Sequence, residues 1–370
     1  MINININEIG DVMILDEFLD IYNSSKSYEV CHTSVKASEI LNMLKNNHTV
    51  IIKGDYQKAE YLMYYLHRFE NDLVNYEETK RDDLGGVSVN RTALIRNKLY
   101  RLTFIVYNNK FPLLENVPVE NDLQKWISED MQDYRYLLPA RRYYRILTDI
   151  KRVENGIYID FIKTKLYILP FVYVPFDKSV PEMFLSYRHL IKDKTVIDIG
   201  TGTGIIPIIA AQMGAKCVAA SDINTNAVEC TYKNVVNAGF EKIVTKVFYS
   251  DLFDNVSGKF DVIIFNAPWI KGNPKNIYEI AIYDPQFAVV NRFFRQVQSY
   301  LTDNGIILLQ YSDISQKNGD GSIENLQSVL KENNFYIADN SSILRRNRLL
   351  GMIERVFIFV IKFGGNENDN

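Results

Sequence analysis

The sequence has few of the features that would tie it to secretion, metals or membranes. Cysteine occurs three times in 370 residues, at Cys31, Cys217 and Cys230. That odd, scattered set offers neither a disulfide framework nor the paired spacing of a zinc site. No metal is expected, and the expected compartment is a reducing one, the cytoplasm. Apolar runs stop short of the ~20 residues that a membrane span needs. The amino-terminal MINININEIGDV lacks both a positive flank and a cleavable apolar segment, so neither a membrane partner nor export is expected. Positive charge is not in excess either: 42 Lys and Arg against 45 Asp and Glu leave a net charge of −3, and binding to a phosphate backbone would have to rest on local patches. What the chain does have is apolar side chains. At 47% hydrophobic and 12% aromatic it can bury a sizeable core, and it is long enough for two domains.

From about residue 195 onward, short apolar runs (KTVIDIG, KCVAAS, KIVTKVFYS, FDVIIF, GIILLQYS) alternate with helical patterns such as IIPIIAAQM and NAVECTYKNVV. Continuous rather than alternating hydrophobicity marks strands covered on both faces, and the interposed helices are what parallel strands require. The pattern predicts an α/β fold with a doubly wound, Rossmann-like sheet. FYIADNSSILRRN and ERVFIFVIKF, with no helix-length segment between them, predict a closing antiparallel hairpin. The first half reads as a separate α/β domain. There AEYLMYYLHRFENDL puts Tyr61, Leu62, Tyr65, Leu66 and Phe69 on one helical stripe, expected to face a core. We place an accessory or substrate-recognition domain at 1–150, a catalytic domain at 151–363 with a lead-in hairpin at 157–177, and a frayed tail at 364–370.

The most informative stretch is VIDIGTGTGIIPIIAA. A strand ending at Ile199 meets Gly200, Gly202 and Gly204 and passes directly into a helix, so a backbone free of side chains can approach a ligand closely. A P-loop needs Lys-Ser/Thr after its last glycine, where Ile205 and Ile206 stand. The dinucleotide fingerprint needs its third glycine at the position of Ile205. Both fail on spacing. Asp222 ends the next strand in CVAASDINTNAV, Asp251 follows the third in FYSDLFD, and the fourth runs into FNAPWI. That last stop is open to two readings: proline as a strand terminator at a sheet margin, or a polar site at the carboxyl end of a parallel strand, where ligands collect.

The glycine pattern resembles that of class I S-adenosylmethionine-dependent methyltransferases. NAPW resembles the Asn/Asp-Pro-Pro-Tyr/Phe/Trp motif of their amino-methylating branch, the small-domain group that includes protein glutamine and ribosomal RNA N-methyltransferases, with Ala267 replacing the first proline. The resemblance implies S-adenosylmethionine as cofactor. Asp198 would face its ammonium group, and Gly200, Thr201, Gly202 and Gly204 would form the loop beneath it. Asp222 with Ile223 would hold the ribose hydroxyls, and Asp251 with Leu252 the adenine. It further implies that Asn266 and the Ala267 carbonyl accept hydrogen bonds from a planar acceptor nitrogen, that Pro268 shapes the turn and that Trp269 stacks on the acceptor. Tyr173, Pro175 and Phe176, in a segment resembling the family's lead-in hairpin, are candidates either for pocket walls or for core packing.

The acceptor is left open among a protein, an RNA and a small molecule. Lys80, Arg81, Arg91, Arg96, Lys98 and Arg101, then Arg141, Arg142 and Arg145, then Arg345, Arg346 and Arg348 form basic segments that either track phosphates or are solvated faces. Two alternatives to methylation accompany this reading: aminocarboxypropyl transfer or internal cyclisation on the same fold, and a non-catalytic module that only binds the cofactor.

Overall fold

The computed structural model describes residues 2–74, 91–108, 110–117, 133–173, 179–274, 276–317, 319, 321–347 and 352–364. The chain divides into two compact units, Met1–Ile150 and Lys151–Asn370. Among the described residues no helix is long and apolar enough to cross a membrane.

The second unit holds a seven-stranded sheet. Its strands are β1 (Thr195–Ile199), β2 (Cys217–Asp222), β3 (Val244–Tyr249), β4 (Phe260–Asn266), β5 (Leu301–Ser312), β6 (Phe335–Arg346) and β7 (Ile353–Phe363). They lie in the order β3-β2-β1-β4-β5-β7-β6. The first five are parallel, and β7 enters antiparallel between β5 and β6. The α/β class and the closing hairpin expected from the sequence are therefore present. The apolar runs of β1 and β4 are buried because helices cover both faces. The chief ones are α1 (Ile205–Gln212), α2 (Thr225–Asn237), α3 (Ala288–Gln296) and α4 (Ser322–Glu332). Order reverses between β1 and β4, and that switch point is where an open α/β sheet leaves a crevice at its carboxyl edge. Of the lead-in hairpin expected at 157–177, Ile157–Ile159 and Thr164–Leu166 pair among the described residues, and 174–178, with Pro175 and Phe176, lie outside them. The expected tail likewise falls outside them beyond Gly364.

The first unit is a mixed sheet centred on Thr49–Asp55 and Leu102–Val106. Helix Tyr56–Arg68 begins where the Asp55 carboxylate accepts from the Lys58 amide. Leu62 and Leu66 of its stripe are buried as expected, but Tyr61 is exposed. The buried face runs through Tyr56, Ala59, Leu62 and Leu66, one helical step away from Tyr61. The basic segments also divide. Lys98 and Arg101 are buried, Lys98 donating to the Lys45 carbonyl at 2.6 Å and Arg101 to the hydroxyls of Ser24 and Ser25. Neither is a phosphate-tracking side chain. Lys80, Arg81 and Arg348 lie outside the described residues.

Candidate active site

The strand-to-helix turn after β1 is built by backbone. Gly200, Gly202 and Gly204 have φ of 73°, 55° and 79°, a left-handed region where side chains are strained. They serve different ends. A Cβ on Gly204 would come within 2.9 Å of the Thr231 Cα, so this glycine of the loop lets α2 approach α1, and it is not among the residues lining the cavity. A Cβ on Gly200 or Gly202 would meet its nearest neighbour at ordinary contact distance, 3.8 and 3.9 Å, and both glycines line a cavity of about 220 Å³.

Asp222 closes the same turn. Its Oδ2 accepts from the Gly202 amide at 2.9 Å and its Oδ1 from the Asn224 amide at 2.8 Å. Asn224 in turn caps α2, its side chain accepting from the Asn226 amide at 3.0 Å. Burial raises the Asp222 carboxyl above the usual value, although the amides of Asn224, Gly202 and Ile223 pull it down. Each oxygen keeps a lone pair beyond its amide, so a ribose diol can still be accepted there.

Asp198 is fully buried on β1, and neither carboxylate oxygen meets a donor in hydrogen-bonding geometry among the described residues. Burial raises its carboxyl well above the usual range; the nearby Thr201 hydroxyl offsets part of that, and the Asp222 charge adds to it. It sits behind the cavity wall and is not one of the lining residues. A buried carboxyl without partners is the group that a cation or a strong donor would satisfy.

The cavity joins most of the remaining predicted residues: Thr201 and Ile223, Asp251 and Leu252, and Tyr173 opposite them. Asn266, Pro268 and Trp269 line it as well, while Ala267 is buried and is not among the lining residues. β4 does stop at NAPW. Beyond it Ile270–Lys271 pairs in parallel with Tyr283–Asp284, so the chain leaves the sheet and the loop between these short strands brings Ile277, Ile280 and Ala281 to the cavity. The two readings of the stop are thus compatible.

Sequence patterns did not point to three features of the site. Arg292 on α3 forms an ion pair with Asp251, and both line the cavity, so Asp251 is already engaged by a cation at the position expected to take adenine. Asp284, fully buried, caps α3 by accepting from the Val289 amide at 2.9 Å and the Val290 amide at 3.1 Å, which aims Val289 and Arg292 at the cavity. Arg345, assigned from sequence to a basic segment, lines the cavity beside Trp269 and is ion-paired to the buried Glu354. No sequence periodicity marks these residues, because each reaches the site from a different element.

The residues fit S-adenosylmethionine. The observations are the partnerless buried carboxyl of Asp198, the glycine backbone that side chains would fill, and Asp222 at the end of β2. Asp222 lines the cavity, with Asp198 in the core close enough for the two charges to be felt by each other, and this negative charge suits a ligand with a sulfonium and an ammonium group.

The family described as methyltransferase small domain matches residues 179–339. A chain from Methanocaldococcus jannaschii named as a protein N5-glutamine methyltransferase is 34% identical over 166 residues, covering 42% of this chain and 79% of that one. A ribosomal protein L11 methyltransferase of Bacillus pumilus is 43% identical over 128 residues, 33% of this chain, and this chain spans only 41% of its length. The crystal structure of the ribosomal protein L11 methylase from Lactobacillus delbrueckii subsp. bulgaricus aligns 55% of this chain with 87% of that chain at 21% identity and a TM-score of 0.39. The chain belongs to the small-domain family of class I S-adenosylmethionine-dependent methyltransferases and is an enzyme of that kind.

Proposed function

We propose that the chain transfers a methyl group from S-adenosylmethionine to a planar amide or amino nitrogen. The observation that carries this is the common cavity: Asn266 and Trp269 open into the same space as Gly200, Gly202 and Asp222. When bound, S-adenosylmethionine supplies an electrophilic methyl on sulfur. The protein orients the acceptor toward it. The nitrogen lone pair of an amide or arylamine is delocalised, and the Asn266 carboxamide oxygen stabilises the nitrogen as it becomes pyramidal and positive; Ala267, which does not line the cavity, is left with no direct role. The carboxamide is not a base at neutral pH, so the nitrogen sheds its proton to bulk solvent after the methyl has moved, as the product leaves the cavity. Trp269 stacks on the acceptor plane, and the apolar wall of Ile277, Ile280 and Ala281 excludes water from the far part of the cavity.

A protein acceptor is the form of this proposal that the relatives' names favour, both being named as methyltransferases of proteins. Burial of Lys98 and Arg101 and pairing of Arg345 with Glu354 remove three cations from the RNA reading. The first unit is then the part that recognises the acceptor. Incubation with cofactor carrying a labelled methyl and with fractionated cell extract tests the proposal. Label is expected in protein, as a product heavier by one methylene and resistant to the mild base that cleaves methyl esters. Label on oxygen or carbon, or a larger transferred group, would overturn it.

A further inference from the structure

Three strand ends meet behind Trp269. Arg345 on β6 and Glu354 on β7 are directly opposite in the hairpin register, and Ser312 is the last residue of β5. Glu354 has no exposed side-chain surface. Its Oε1 accepts from Arg345 Nε at 2.8 Å, Arg345 Nη2 at 2.7 Å and Asn347 Nδ2 at 2.9 Å, and its Oε2 accepts from the Ser312 hydroxyl. A buried carboxylate holding this many donors has one orientation, and so has the planar guanidinium bound to it.

That guanidinium lies with Cζ 6.0 Å from the centroid of the Trp269 ring, within reach of a cation–π contact. Arg345 is 15% exposed, so the contact is largely desolvated, the setting in which such contacts are strongest. Trp269 is also held through its backbone: the Ser315 hydroxyl donates to its carbonyl at 2.9 Å and accepts from the Lys271 amide at 3.0 Å. Main chain and ring are thus fixed by different partners, the ring by Arg345.

We propose that Arg345 is a positioning residue for methyl transfer, holding the Trp269 indole in the plane against which the acceptor stacks, with Glu354, itself fixed by Asn347 and Ser312, holding Arg345. The inference rests on the proposed role of Trp269. Transfer needs nitrogen, methyl and sulfur in line, so a platform free to tilt lowers turnover without touching the cofactor end.

The chain has two tryptophans, Trp126 and Trp269, and Trp126→Phe leaves Trp269 as the sole indole, observed by excitation at the red edge where tyrosine does not absorb. In that background Arg345→Met is expected to raise the acrylamide quenching constant of Trp269 about threefold or more and to add a fast phase to its anisotropy decay, as a desolvated cation–π contact is lost. Melting temperature and cofactor affinity by calorimetry report whether fold and cofactor end are intact. Unchanged quenching and anisotropy in the folded variant would overturn the proposal. Should Arg345→Met not fold, Arg345→Lys carries the test. Lysine keeps the charge but loses the fork that reaches Glu354 and the ring together, so quenching about twofold above the parent is expected, and quenching equal to the parent would overturn the proposal. These readouts need no acceptor. A chain in which Arg345 immobilises the indole while Asn266→Ala transfers methyl at full rate refutes the nitrogen reading alone.

Discussion

The two ends of the cavity are built in different ways. At the end proposed to take the cofactor, the glycine loop and Asp222 are organised by main chain: glycine φ values set the loop, and two backbone amides hold the Asp222 carboxylate. At the acceptor end they are organised by side chains from distant parts of the sequence, with Glu354 aiming Arg345 and Arg345 facing Trp269. A backbone-built end keeps its shape through most substitutions, and a single change removes only the group changed. A side-chain-built end passes each change on to the next partner. Cofactor binding and acceptor positioning therefore respond to different mutations, and that separation can be broken by experiment.

The largest effect is expected at the acceptor end. Asn266→Ala should lower kcat about 100-fold or more, the range seen when one preorganised transition-state contact is removed, with cofactor affinity nearly intact. A merely less stable but fully active variant would return NAPW to the role of a strand stop. At the other end, Asp222→Ala should weaken cofactor binding at least about tenfold, since one charge-assisted bond exceeds 1.4 kcal/mol, and kcat at saturation should change much less. Unchanged affinity by calorimetry in the folded variant would take Asp222 out of the site. Trp269→Ala should raise the acceptor KM several-fold, because stacking already exists in the ground state; a change confined to kcat would contradict that.

A smaller effect follows from the carboxyls of Asp198 and Asp222, both raised by burial. The folded, ligand-free chain holds these protons more tightly than the unfolded chain does. Their contribution to stability is fully present below the ordinary carboxylate pKa of about 4 and is lost as pH rises through the folded values. A bound cation favours the ionised form, so cofactor uptake releases protons, and the gap in melting temperature between loaded and empty protein widens with pH across that window. Asp198→Asn should flatten both trends. Calorimetry in buffers of different ionisation enthalpy measures the released protons, and an Asp198→Asn protein with the parental pH slope would exclude Asp198 as their source.

The proposed cofactor end was legible in sequence because its parts recur at the carboxyl ends of successive parallel strands, where Gly200, Asp222 and Asp251 stand in chain order. The acceptor end was legible only where it shares a strand end, at NAPW. Arg345 and Glu354 come together because two strands pair in a hairpin, and nothing within LRRNR says which of its cations turns inward. Arg292 is aimed by the Asp284 cap, a contact that depends on how one turn folds. In the first unit the helical stripe was right for Leu62 and Leu66 and wrong for Tyr61, since hydrophobic spacing fixes a face only to within about one residue.

The strand order has a consequence for the chain as it is made. β5 is completed at Ser312, but its partner on the outer side, β7, does not begin until Ile353, and β6, made in between, belongs one place further out. Until the last strand emerges, the buried apolar stretch Ile306–Ser312 has a row of unsatisfied amides and carbonyls along one side, a template for pairing with another chain. Synthesis interrupted within the β6–β7 hairpin is therefore expected to leave that edge of the sheet open until Ile353–Phe363 is available to close it.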